Sequence, residues 1–192
     1  MKHILSITLA FVLLVSIFGC GGGPKGLQNA SEAVIPEWYT TPPTSADYLY
    51  AVNTATSQDM QLAVDKALTG ARAEIGRQVE LRIQGLQKRF DEEVGAGNNA
   101  QLLQQFTQAS KTVVSASISG SRAKEQKIFK DGEIYRAYVL AEYPIGAANE
   151  AFLEQIKRNE QMYTRFRSSE TFKELNEEVE RYEKWKKEQG NK

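Results

Sequence analysis

Glu133-Ile134-Tyr135-Arg136-Ala137-Tyr138-Val139-Leu140-Ala141-Glu142-Tyr143-Pro144 is the stretch on which the fold turns. Tyr135, Ala137, Val139, Ala141 and Tyr143 alternate with Ile134, Arg136, Tyr138, Leu140 and Glu142, the period of two that sends successive side chains to opposite faces of a strand. Both sets are partly apolar, so both faces are covered and the segment is predicted as the central strand of a sheet. Pro144 ends it, having no N–H to give to a ladder.

Just upstream, Asp131-Gly132 is the best short-range hairpin signal in the chain and pairs this strand with residues 122–130. Arg122, Lys124, Glu125, Lys127 and Lys130 crowd that first arm, the composition of a solvent-facing, protected edge strand and not of a nucleic-acid surface. Two helices are predicted ahead of the hairpin. From Met60 the apolar positions run Val64, Ala67, Ala71, Ile75, Val79, Ile83, Leu86, Phe90 and Val94, in steps of three and four over roughly nine turns. Thr56 and Ser57 are its expected caps, with Asp59 in the first turn opposing the positive dipole end. The early face is mostly alanine, which permits close approach to a sheet; the later face is larger and suits a second helix. Gly70, Gly76 and Gly85 each weaken the helix by roughly 1 kcal/mol.

Gly95-Ala96-Gly97-Asn98-Asn99 follows a helix instead of a strand and lacks a third glycine, so it reads as a C-cap and turn and not as a phosphate loop. The second helix carries Leu102, Leu103, Phe106, Ala109 and Val113 on one face and ends between Ser115 and Gly120. Residues 48–55, rich in aromatic and β-branched side chains, supply the remaining strand. Pro36, Pro42 and Pro43 bar helix, so the segment around them is expected to be extended and pinned to the domain by Trp38.

Pro36-x-Trp38-Tyr39, then Tyr50-Ala51-Val52 before a helix with Ala63, Ala67, Ala71-Arg72-Ala73 and Glu74, then Tyr135-x-x-Tyr138-Val139-Leu140 closing in Tyr143-Pro144, resemble the LPP-twenty family. These are small bacterial outer-membrane lipoproteins, similar also to the N-terminal domain of a flagellar assembly protein. Asn53 stands where that family usually has glycine, and asparagine also tolerates a left-handed backbone. The resemblance, over residues 36–145, implies an α+β domain and an envelope location. It carries over no catalytic residue.

Beyond Pro144 the chain turns highly charged and helical. Phe152, Ile156, Tyr163 and Phe166 share one stripe, Ser168 or Ser169 can cap a new start, and Phe172, Leu175, Val179, Tyr182 and Trp185 form a second stripe. Polar helices without a docking surface are marginal, so these aromatics must bury against something. Residues 152–166 follow Pro144 closely and are expected to fold back over the sheet. Residues 172–185 are expected to contact another chain, self-association through these helices included.

The start of the chain bears on location. Met1, Lys2 and His3 form a short basic start, and Ile4 to Phe18 is apolar except for Ser6, Thr8 and Ser16. That run rises roughly 22 Å as helix, short of the ~20 residues needed to cross a bilayer core, so it reads as a secretory signal. Ile17-Phe18-Gly19-Cys20, with the only cysteine in the chain, resembles the lipobox of bacterial lipoproteins, although Phe18 stands where a smaller residue is usual. This resemblance implies removal of residues 1–19, a diacylglycerol thioether on Cys20 and an amide-linked acyl chain such as palmitate. Two or more chains anchor stably where one does not. Gly21, in place of Asp, fits outer-membrane delivery. Residues 20–35 read as a flexible tether reaching roughly 20 Å.

The 192 residues hold 24 Lys and Arg and 24 Asp and Glu, and loss of Lys2 with the signal leaves 23 basic against 24 acidic. No charge excess recruits nucleic acid or anionic lipid. His3, the sole histidine, leaves with the signal and Cys20 is acylated, so the mature chain has neither imidazole nor free thiol. Internal disulfides, His–Cys zinc sites, Ser-His-Asp triads and Cys-His pairs are excluded, and no catalytic residue, cofactor or metal site is predicted. The sequence thus predicts an α+β protein: a small three-stranded sheet packed by two long helices over residues 36–145, a helical extension over 146–192, and a lipid anchor at Cys20 in the outer membrane. Its expected role is non-enzymatic, through contacts with another envelope protein in envelope or motility-associated assembly. The alternative is a carboxylate-based hydrolase of cell-wall glycans, which would need two acidic side chains at fixed spacing in a cleft.

Overall fold

The computed structural model describes Gln28–Asn29 and residues 35–95 and 99–190. The predicted signal, the lipid site at Cys20 and most of the predicted tether lie outside the described residues. In chain order the elements are β1 (Gln28–Asn29), α1 (Glu37–Thr40), β2 (Tyr48–Ser57), α2 (Met60–Val94), α3 (Ala100–Gly120), β3 (Arg122–Asp131), β4 (Ile134–Pro144), α4 (Ile145–Arg158), α5 (Glu160–Phe166) and α6 (Glu170–Gly190). The sheet order is β1-β3-β4-β2, three antiparallel strands with β1 added in parallel at the outer edge of β3. β4 is central as predicted, pairing Val139 with Asn53 on one side and with Gln126 on the other. The α+β class, the long helices and the C-terminal helical region also stand as predicted.

Local chemistry moves several boundaries. Asp131 pairs with Ile134, so the hairpin turn is Gly132-Glu133, one residue later than predicted. Gly132 has φ 57° and Glu133 has no positive φ, the arrangement of a type II′ turn with glycine at its first central position. β2 continues through Thr56 and Ser57, which therefore are not caps. Asp59 caps α2 instead, its Oδ1 accepting the Leu62 N–H at 2.7 Å, with the added benefit of a negative charge at the helix start.

The proline-rich segment is not wholly extended. Pro36 leads into the single turn α1, because its fixed φ, here −58°, suits a helix start where no N–H is required. Tyr39, next to the Trp38 expected to do so, fixes this turn on the sheet: its ring meets Tyr138 edge-on at 4.8 Å.

Side-chain size divides α2 into two parts. Ala63 and Ala67 pack with Ala137 and Val139, all wholly buried, so helix and sheet approach closely. Gly70 continues this contact, and the Asn53 side chain fills the space a Cβ would take. From Ile75 the face enlarges through Val79, Ile83, Leu86 and Phe90 and meets Leu102, Phe106, Ala109 and Val113 of α3. Leu103, predicted on that face, is 51 % exposed; one residue past Leu102 is about 100° around the helix, which turns it outward.

The C-terminal helices close over this second part. Phe90, Phe106, Phe152 and Phe166 form one ring cluster, with Phe90–Phe166 at 4.3 Å and Phe106–Phe152 at 5.4 Å. Residues 152–166 thus dock on the α2–α3 hairpin and not over the sheet. Phe172, Leu175 and Val179 of α6 are buried in the same core, so these three residues of the stripe expected to contact another chain pack within the domain instead, while Trp185 at its end stays exposed. Ser169 caps α6 by accepting the Phe172 N–H at 3.1 Å, and Glu93 of α2 accepts the Glu170 N–H at 2.7 Å. A carboxylate there faces the positive end of the helix.

Candidate functional site

A cleft of about 390 Å³ opens where the start of β2, the end of β4, the middle of α2, the start of α4 and the end of α6 converge. Pro144 makes this junction by ending β4 and starting α4 directly, and the Ile145 N–H donates to Asp47 O at 2.8 Å, drawing in the loop before β2. The Tyr182 ring lies against Gly146, where any Cβ would overlap it.

The floor is polar and closed on itself. Arg82 Nε donates to Asn149 Oδ1 at 3.1 Å, Arg82 Nη2 to Glu178 Oε2 at 3.2 Å, and Asn149 Nδ2 to the same Glu178 oxygen at 2.6 Å. Asn149 is only 3 % exposed, so this satisfied triangle is what makes its burial tolerable. The rim is aromatic: Tyr182 and Trp185 stack at 5.7 Å and 18°, with Trp185 still 40 % exposed and Tyr48 opposite in the lining. Lys186 Nζ sits 5.0 Å over the Tyr182 ring and 2.7 Å from Glu150. Burial raises the Tyr182 phenol, with Glu150 adding to the rise and Lys186 opposing it, so the ring stays a neutral donor. The hydrogen bond that Lys186 donates to the Glu150 carboxylate raises the Lys186 ammonium above its ordinary value, so it stays charged.

A second polar centre lies on the face of the sheet away from α2. Glu142, 6 % exposed, takes Arg122 at 2.8 Å and Lys124 at 3.2 Å, and Lys124 also donates to Tyr50 Oη at 3.0 Å. Lys127 and Lys130 lie over Phe129 and Tyr135. The basic residues of the first hairpin arm are thereby committed to partners within the domain.

Cys20, the one site residue read from the sequence, is outside the described residues. Among those described, no group of three His, Cys, Asp or Glu could hold a metal ion, and no helix is long and apolar enough to cross a membrane. Arg82 and Asn149 escaped the sequence reading. The available signal was Asn149 itself, a polar residue three and four places before Phe152 and Leu153 on a buried helix face.

No curated protein matches the chain. A solved structure of the hypothetical protein FTT1539c from Francisella tularensis is similar at 21 % identity over 60 % of this chain, with a TM-score of 0.35, and the chain spans 44 % of that structure's length. A family model described as LPP20 lipoprotein matches residues 36–143, from the proline that opens α1 to the last tyrosine of β4 and so more than half of the 192 residues: the chain belongs to the LPP20 lipoprotein family.

Proposed function

We propose that the protein is a lipid-anchored component of the outer membrane that holds an envelope protein partner at the Tyr182–Trp185 rim and catalyses no reaction. Family membership makes it a lipoprotein of the cell envelope. Lipid on Cys20 and the outer membrane as its site extend that reading, supported by the apolar run ending at Gly19-Cys20 and by Gly21.

The observation that carries the contact role is Trp185. The rest of its stripe, Phe172, Leu175 and Val179, is buried in the domain, while Trp185 stays exposed beside Tyr182 and Arg181 at the mouth of a cleft. Trp, Tyr and Arg are the residue types that dominate binding energy at protein interfaces. The hydrolase alternative would draw on Asp47 and Glu178, the acids lining the cleft. Glu178 Oε2 already accepts from both Arg82 and Asn149, which suits a structural acceptor better than a group that must exchange a proton. Nucleic acid is disfavoured by the charge balance and by the pairing of Arg122 and Lys124 with Glu142.

A photo-crosslinking residue at position 185, compared in intact cells with one at the exposed position 103, tests this reading. A discrete adduct from 185 that is absent from 103 and lost with Arg181→Glu is expected; equal adduct patterns overturn it. An adduct of doubled mass would identify the partner as a second copy. Cys20→Ala should leave an uncleaved or mislocalised precursor, and an unchanged mature mass and membrane fractionation would refute the anchor.

A further inference from the structure

We infer that the hairpin end of the domain, with Met60, Leu62 and Ile134, rests on the surface of the bilayer that holds the lipid anchor. The inference builds on the anchor reading above and adds an orientation to it. Gln28–Asn29 pair with Phe129–Lys130, at the end of β3 that leads into the Gly132 turn. Cys20 is eight residues before Gln28, so the linking chain extends at most about 29 Å. α2 starts at this same end, because Ser57, just before Asp59 and Met60, pairs with Tyr135. Its 35 residues run about 52 Å to Gly95. An inverted domain, with the far end of α2 on the bilayer, would need more chain than the tether has.

Between an upright domain and one lying on its side, the exposed apolar residues decide. Met60, Leu62 and Ile134 are 42 %, 46 % and 46 % exposed, three large apolar side chains at the tethered end, two of them in the first turn of α2 and the third beside the hairpin turn on the opposite face of the sheet. Ionic groups there leave no basic excess: Lys130 and Arg136 stand against Asp59, Asp131 and Glu133, all exposed. The seat is therefore apolar burial at the interface, with affinity from the acyl chains and orientation from these three residues. It also places the cleft usefully. Tyr48 lies at the other end of β2 from Ser57, about 31 Å away, so the Trp185 rim is held clear of the lipid.

The acylated Cys20 has no free thiol, so a cysteine introduced elsewhere is the only labelling position. Full-length mature protein carrying Leu62→Cys, Ile134→Cys or Leu103→Cys is labelled with a polarity-sensitive fluorophore and reconstituted in phosphatidylcholine vesicles. Its intact mass is measured first. The labels at 62 and 134 should brighten severalfold and be quenched by lipid-borne quencher, while the label at 103 changes little, with or without anionic lipid. Equal responses at all three positions on lipidated protein, or a response that needs anionic lipid, overturn the orientation alone. A mature mass without lipid overturns the anchor and the orientation with it.

Discussion

The two ends of α2 obey one periodicity and make different cores. At Ala63 and Ala67 the helix presents methyl groups, and the sheet comes close enough for Ala137 and Val139 to be wholly buried. At Ile83, Leu86 and Phe90 the same spacing presents large side chains, and the neighbours are helices interlocking through four phenylalanines. Volume at the buried positions, and not their spacing, selects the partner. The first contact gains from proximity and the second from area, so the two should fail in different ways.

The largest effect is expected from Val139→Asp, which places an unpaired charge between β4 and α2. The cost is about 3–5 kcal/mol or more, and the domain should melt or fail to accumulate. A mutant that unfolds in denaturant at the parent's midpoint would show that Val139 does not face a dry layer. Phe106→Ala should follow at about 3–5 kcal/mol, since its ring touches Phe90, Phe152 and Phe166 together. Here the cavity should loosen α4 and α5 before the sheet, visible as early amide exchange confined to those helices; uniform exchange would merge the two cores into one. Ala67→Leu should cost about 1–3 kcal/mol by forcing α2 off the sheet, whereas the added volume would be tolerated on the helical side. Equal melting temperatures for Ala67→Leu and the parent would remove the size argument.

The smallest effect concerns the start of α6. The Thr171 hydroxyl, opposed by burial and joined by the Glu170 and Thr171 N–H groups and Arg89, holds the Glu93 carboxyl below its usual 4.5. A carboxyl lowered on folding adds stability above its unfolded value and loses it as pH falls through the folded one. Glu93→Gln should therefore lower the melting temperature slightly at neutral pH, and the difference should vanish well below pH 4.5. A difference that persists in acid would assign the effect to packing.

Alternation from Tyr135 to Tyr143, steps of three and four from Val64 to Val94, and the glycine of the hairpin turn are properties of neighbours along the chain, so the sequence by itself determined the central strand, the long helix and the α+β class. Alanine giving way to larger residues along α2 likewise announced two kinds of neighbour. Residues 36–143 held enough local pattern to reveal the family. The destination of Phe172, Leu175 and Val179 was decided only in three dimensions, because an amphipathic stripe records that it must be buried and not by what. So was the cleft: Arg82, Asn149 and Glu178 lie 67 and 29 positions apart along the chain, and their triangle exists only after α4 and α6 have packed beside α2. Asn149 alone broke the local pattern, because a buried amide needs partners that distant segments supply.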